Sequence, residues 1–94
     1  MKIVKESVSV VVASEYWCQG EDYFTYQVVA KTCQGKTLAL RHKKFEDQLL
    51  SESMDSYGAV TKVWHFGEDA AKAVAAKVRA AGQINPEHWV EINP

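Results

Sequence analysis

A single punctuated helix in the last third of the chain does most to limit its fold. Phe66-Gly67-Glu68-Asp69 opens the segment, Ala70 to Ala81 carries its apolar stripe, and Gly82 closes it. Ala71, Val74, Ala75, Val78 and Ala81 recur at helical spacing on one side. Glu68 and Asp69 suit the positive end of the helix dipole and Arg79 the negative end. Gly82 readily adopts the left-handed conformation that stops a helix. Asn85-Pro86 then turns the chain into a short last segment, His88-Trp89-Val90-Glu91-Ile92. Everything before Phe66 reads mainly as strand. The expected fold is therefore α+β, a four- to five-stranded antiparallel sheet with one helix from the C-terminal half packed on it. An alanine-rich helix has little stability alone, so the sheet must supply most of the core volume.

The strands are read from alternation. Val4, Glu6, Val8, Val10 and Val12 are placed on one face of a first strand, with Lys5, Ser7 and Ser9 on the other. Ala13 to Asp22 reads as a polar connection carrying Tyr16 and Trp17. A second strand covers Tyr23 to Thr32, with Phe24, Tyr26, Val28 and Ala30 on one face. Cys33-Gln34-Gly35-Lys36 forms a hairpin turn, and the third strand puts Leu38, Leu40 and His42 opposite Thr37, Ala39 and Arg41. Phe45, Leu49 and Leu50 have helical spacing, which predicts a turn or two of helix over Phe45 to Ser51. Ser51 to Ser56 reads as a polar loop. Tyr57 to Phe66 returns to strand, with Val60, Trp64 and Phe66 on one side and Ala59, Thr61 and Val63 on the other; two apolar faces suggest a central position.

Residues 1–94 read as a single domain. At 47% hydrophobic residues and a net charge of −1, the chain can bury a core and lacks either electrostatic extreme. A nucleic-acid coat protein needs a basic excess and a nucleic-acid mimic an acidic one. The longest apolar run, Val10 to Ala13, is far short of a membrane span, which needs about 20 residues. Met1-Lys2-Ile3 enters a strand directly, without the pattern of a secretion signal, and the expected location is the cytoplasm. Cys18 and Cys33, placed at opposite ends of one strand, are expected as free thiols, which fits a reducing compartment.

Chemistry-bearing motifs are sparse. His42, His65 and His88 fall in separate segments, and no phosphate loop, nucleophile elbow or metalloprotease helix is present. No catalytic residue, cofactor or metal is expected. Two features point instead to a partner. Glu15-Tyr16-Trp17-Cys18-Gln19-Gly20-Glu21-Asp22-Tyr23 sets three large rings among acidic and polar neighbours, and such rings dominate binding hot spots. Arg41-His42-Lys43-Lys44 is the one basic run, suited to charge pairing and steering. Tyr16, Trp17, Tyr23, Arg41, Lys43 and Lys44 are the candidate partner-binding residues. A small sheet also has two edges open to strand pairing, so a homodimer is compatible with the pattern.

The segment from Phe66-Gly67-Glu68 through Gly82-Gln83-Ile84-Asn85-Pro86 to His88-Trp89-Val90-Glu91 resembles the tails of small proteins encoded by phages and prophages. The resemblance covers about a quarter of the chain and carries no catalytic residues. It implies an accessory protein of a mobile element. Such proteins often bind and block a host machine, and anti-defence inhibitors, anti-CRISPR proteins among them, are one such class. The expected function is thus a non-enzymatic protein-binding module acting stoichiometrically, with a small nucleic-acid-binding or regulatory module as the alternative.

Overall fold

The computed structural model describes residues 1–41, 44–45, 48–49, 56–58 and 63–92. The chain runs β1 (Ile3–Cys18), β2 (Glu21–Thr32), β3 (Thr37–Leu40), β4 (Lys44–Phe45), β5 (Gln48–Leu49), β6 (Ser56–Gly58), β7 (Val63–His65) and α1 (Glu68–Ala81). A 3-10 turn at Pro86–His88 then leads into β8 (Trp89–Glu91). Four strands form an antiparallel sheet in the order β1-β2-β3-β8, and α1 lies across one face. The α+β architecture matches the pattern of the sequence.

Helix α1 begins after Gly67, whose carbonyl accepts the Ala71 N–H at 2.9 Å. Glu68 and Lys72 pair across the first turn at 3.0 Å. Gly82 ends it in the left-handed region (φ 67), donating its N–H to the Val78 carbonyl at 3.0 Å. Ala71, Val74, Ala75 and Val78 are buried, whereas Ala81, expected on the same stripe, is exposed beside the cap. They pack on Val8, Val28, Ala30, Leu38, Leu40, Phe66 and Trp89. A smaller cluster of Val29, Ala39 and Val63 covers the opposite face. Trp89 anchors the last strand, since β8 pairs with β3 (Leu40 opposite Trp89). Asn85 accepts the Glu87 N–H at 3.0 Å and so starts the turn before it.

The expected alternation of β1 fails at its start. Val4 pairs with Lys31 but Ser9 with Val29, so Lys5 to Val8 stand opposite Ala30 alone. An odd number of extra residues exchanges the faces. Ile3 and Val8 therefore point inward together while Val4 is exposed. Ser7 stitches the irregularity, its Oγ accepting the Lys31 N–H at 2.8 Å. The hairpin turn between β2 and β3 is as expected, closed by Gly35 N–H to the Thr32 carbonyl at 2.9 Å, with Gly35 at φ 85.

Two other expectations change. Phe45 to Ser51 is not helical among its described residues, because Lys44 pairs with Leu49 and Phe45 with Gln48 in a narrow antiparallel hairpin. Tyr57 to Phe66 is not one strand. Ser56 pairs with His65, Tyr57 with Trp64 and Gly58 with Val63, so the chain doubles back on itself. The apolar residues on both sides of that segment reflect a hairpin, with Val63 facing one core cluster and Phe66 the other. His42, the polar stretch 51–55 and residues 59–62 lie outside the described residues.

Candidate protein-binding site

Element lengths force part of the sheet to overhang the helix. The 16 residues of β1 reach roughly 50 Å at about 3.3 Å per residue. The 14 residues of α1 cover only about 21 Å. The helix end nearest the overhang is fixed by Tyr26, whose hydroxyl donates to Glu68 Oε2 at 3.4 Å. Lys72 beside Glu68 holds that carboxylate below its ordinary range. Beyond Tyr26, β1 and β2 continue as a two-stranded arm, and the molecule reaches 43 Å along its longest axis.

The segment Ala13 to Asp22, expected as a connection, is thus mostly strand. Glu15 faces Phe24, Tyr16 faces Tyr23, Trp17 faces Asp22 and Cys18 faces Glu21. Gln19 and Gly20 close the tip, at φ 52 and 83. Two successive positive φ values define the type I′ turn that matches strand twist, and glycine makes its second position accessible.

Strand alternation divides the predicted aromatic set. On β2, Asp22, Phe24, Tyr26 and Val28 share the helix side, and so do their partners Trp17, Glu15, Val12 and Val10. Trp17 is 70% exposed, Val12 53% and Phe24 43%. Together they form an apolar patch on the arm just past the helix. Tyr23 stands on the other side, its hydroxyl donating to Glu21 Oε2 at 2.9 Å; of Tyr16 only the backbone, paired with Tyr23, is described. Glu15 and Asp22 share the side of the patch, and Glu21 stands on the other. No lysine or arginine occurs between Lys5 and Lys31, whereas Glu15, Glu21 and Asp22 all lie on the arm and are exposed.

Arg41 is half-buried at the end of β3 and gives its backbone N–H to the His88 carbonyl at 2.9 Å. Lys43 is outside the described residues, and of Lys44 only the backbone, in β4, is described. Phe24 and Val12 were not singled out from the sequence, where both read as part of a covered face. The length mismatch between strand and helix is the signal that finds them.

The arm is braced at its root on the opposite face. Ser14 Oγ meets Thr25 Oγ1, which lies 3.2 Å from His65 Nδ1 on β7. Burial pushes the His65 imidazole below its ordinary pKa of 6.5. The chain Ser14–Thr25–His65 joins arm to hairpin, and no carboxylate is bonded to it among the described residues. His88 belongs to the turn before β8. No group of three or more His, Cys, Asp or Glu able to hold a metal occurs among the described residues, and none of their helices is long and apolar enough to cross a membrane.

No protein-family model, curated protein or solved structure matches the chain.

Proposed function

We propose that the protein is a non-enzymatic binding module that engages a protein partner through the β1–β2 arm. The observation that carries this reading is Trp17, an indole left 70% exposed on a paired two-stranded ribbon with Phe24 and Val12 on the same side. Large rings on a preordered backbone bury much area at low entropic cost, which is the character of a binding hot spot. Glu15 and Asp22 on the same side, with Glu21 on the reverse of the tip, select a partner whose apolar pocket has a basic rim. A phosphate backbone is repelled by the same carboxylates. The resemblance of the tail to phage-encoded proteins extends the proposal: the module acts in the cytoplasm as a stoichiometric inhibitor of a host defence complex, with a basic, nucleic-acid-handling surface as its target.

The test is affinity capture from bacterial lysate with the wild type, a Trp17→Ala/Phe24→Ala variant and a Glu21→Lys/Asp22→Lys variant, each checked for native circular dichroism. A partner held by the wild type and lost from both folded variants supports the reading. Capture that persists in both discards the arm as the site. Salt-dependent binding to DNA or RNA, absent a protein partner, would favour the nucleic-acid alternative.

A further inference from the structure

The outer edge of β1 contains a short pairing window that is complementary to itself. Tyr26 donates its N–H to the Phe66 carbonyl at 2.8 Å and accepts the Phe66 N–H at 2.7 Å. Both its backbone groups therefore face away from β1, which makes Val12–Tyr26 a non-hydrogen-bonded pair of the ladder. The N–H and C=O of Val12, and by alternation those of Val10, point off the outer edge of the sheet. The next outward carbonyl, that of Val8, accepts from Arg79 Nη2 at 2.9 Å. On the other side, the extra residue Ala13 interrupts the register. Among the described residues the open window is thus Val10-Val11-Val12. It holds no proline, and no charge lies between Glu6 and Glu15, so the usual guards of an exposed edge are missing. Val11 and Val12, on opposite faces, are 36% and 53% exposed.

We propose that this window pairs with the same window of a second copy, antiparallel, about a two-fold axis through Val11. Val10 of each copy then faces Val12 of the other, and each pair exchanges both backbone hydrogen bonds. The axis is perpendicular to the sheet, so both helices stay on one side of a sheet that runs through both copies. In this register Val8 of one copy stands opposite Ser14 of the second copy, and the bulge at Ala13 falls beside the carbonyl that Arg79 already occupies. Arg79 reaches the edge from the helix side, the side that also carries Glu15. Each guanidinium is therefore brought to a Glu15 carboxylate of the opposite copy. A foreign strand would have no such reciprocal charge, and would run into Arg79 at one end and the bulge at the other. The proposal uses the backbone edge and does not rest on the arm's partner reading; Val12 alone is shared with the apolar patch, while Trp17 and Phe24 lie beyond the window.

Sedimentation velocity of the full chain over a concentration series tests it. The wild type is expected at about twice the monomer mass of 10.5 kDa. Val12→Pro removes an outward N–H without touching the ladder to β2, and Val11→Lys sets two charges together on the axis. Both are expected to give monomers with native circular dichroism. Glu15→Arg or Arg79→Glu alone should weaken association by roughly five- to tenfold through two symmetric pairs, and the double reversal should restore it. A wild type that remains monomeric at its solubility limit overturns the proposal. So does a dimer that survives Val11→Lys, or a double reversal that restores nothing. A monomer that still loses its partner on Trp17→Ala/Phe24→Ala would leave the arm reading intact.

Discussion

Phe66 is the joint between the arm, the sheet and the helix, and removing its ring should be among the costliest single changes in the chain. Its side chain is fully buried in the cluster with Val28, Leu40, Val74 and Val78. Its backbone is bonded in both directions to Tyr26, and the next residue opens α1. Replacing a buried Phe by Ala costs about 3–5 kcal/mol, from lost transfer energy and the cavity left behind. A chain of 94 residues is stable by roughly 5–14 kcal/mol, so Phe66→Ala removes a large share of the total. In urea, with a slope of about 1 kcal/mol/M for a domain this small, the midpoint should fall by roughly 3 M or more. Phe66→Leu keeps most of the volume and should cost about 1–1.5 kcal/mol, which retains a measurable transition if the alanine variant is unfolded. Equilibrium unfolding followed by far-ultraviolet circular dichroism reads both. A Phe66→Ala midpoint within about 1 M of the wild type would refute this packing argument, because a ring with no solvent exposure cannot be lost so cheaply.

Gly82→Ala should destabilise the fold by about 1–2 kcal/mol, since the cap sits in the left-handed region; its new Cβ would also lie 2.6 Å from Lys5 Cε, and thermal melting reads the loss. His65 titrates below 6.5 in the folded chain, so the unfolded state binds more protons in acid. Stability is therefore full above pH 6.5 and is lost as pH falls through the folded value. His65→Gln should flatten that part of the pH–stability curve, and an NMR titration placing the imidazole at or above 6.5 would contradict the burial argument. Thr25→Val should loosen the arm root by about 1 kcal/mol, read as faster amide exchange in Ser14 to Phe24 with the helix protection unchanged.

The helix was legible because every signal for it is local: the acidic first turn, the spacing of Ala71, Val74, Ala75 and Val78, and Gly82 at the stop. The hairpin at Cys33 to Lys36 was legible for the same reason. Strand faces were harder. The irregularity between Val4 and Ser9 exchanges inside and outside through pairing with β2, and no property of β1 alone announces it. Alternation also marks a strand only where one face is buried. Among the described residues the arm has no core beneath it, so its Glu, Gln and Asp residues read as a loop although its backbone is paired to the tip. Helical spacing of Phe45 and Leu49 was equally compatible with a short hairpin, since a few residues do not separate the two periods.

For the site, residue type singles out Trp17, which the structure leaves exposed, but proximity in sequence groups it with Tyr16 and Tyr23. Alternation sets Tyr23 on the other side of the ribbon, and of Tyr16 only the backbone is described. Phe24 and Val12 became visible only when helix length was compared with strand length. The acidic character of the arm was hidden by a net charge of −1, because the balancing lysines and arginines lie outside the segment between Lys5 and Lys31.

The most direct test of the account is calorimetric titration of the captured and purified partner with the wild type and with Trp17→Ala/Phe24→Ala. If the arm is the binding site, the variant should lose at least about 2 kcal/mol of binding, roughly thirtyfold in Kd, while its unfolding midpoint stays close to the wild type. An affinity unchanged within about twofold in the folded variant would contradict the central claim and move the interface elsewhere on the molecule.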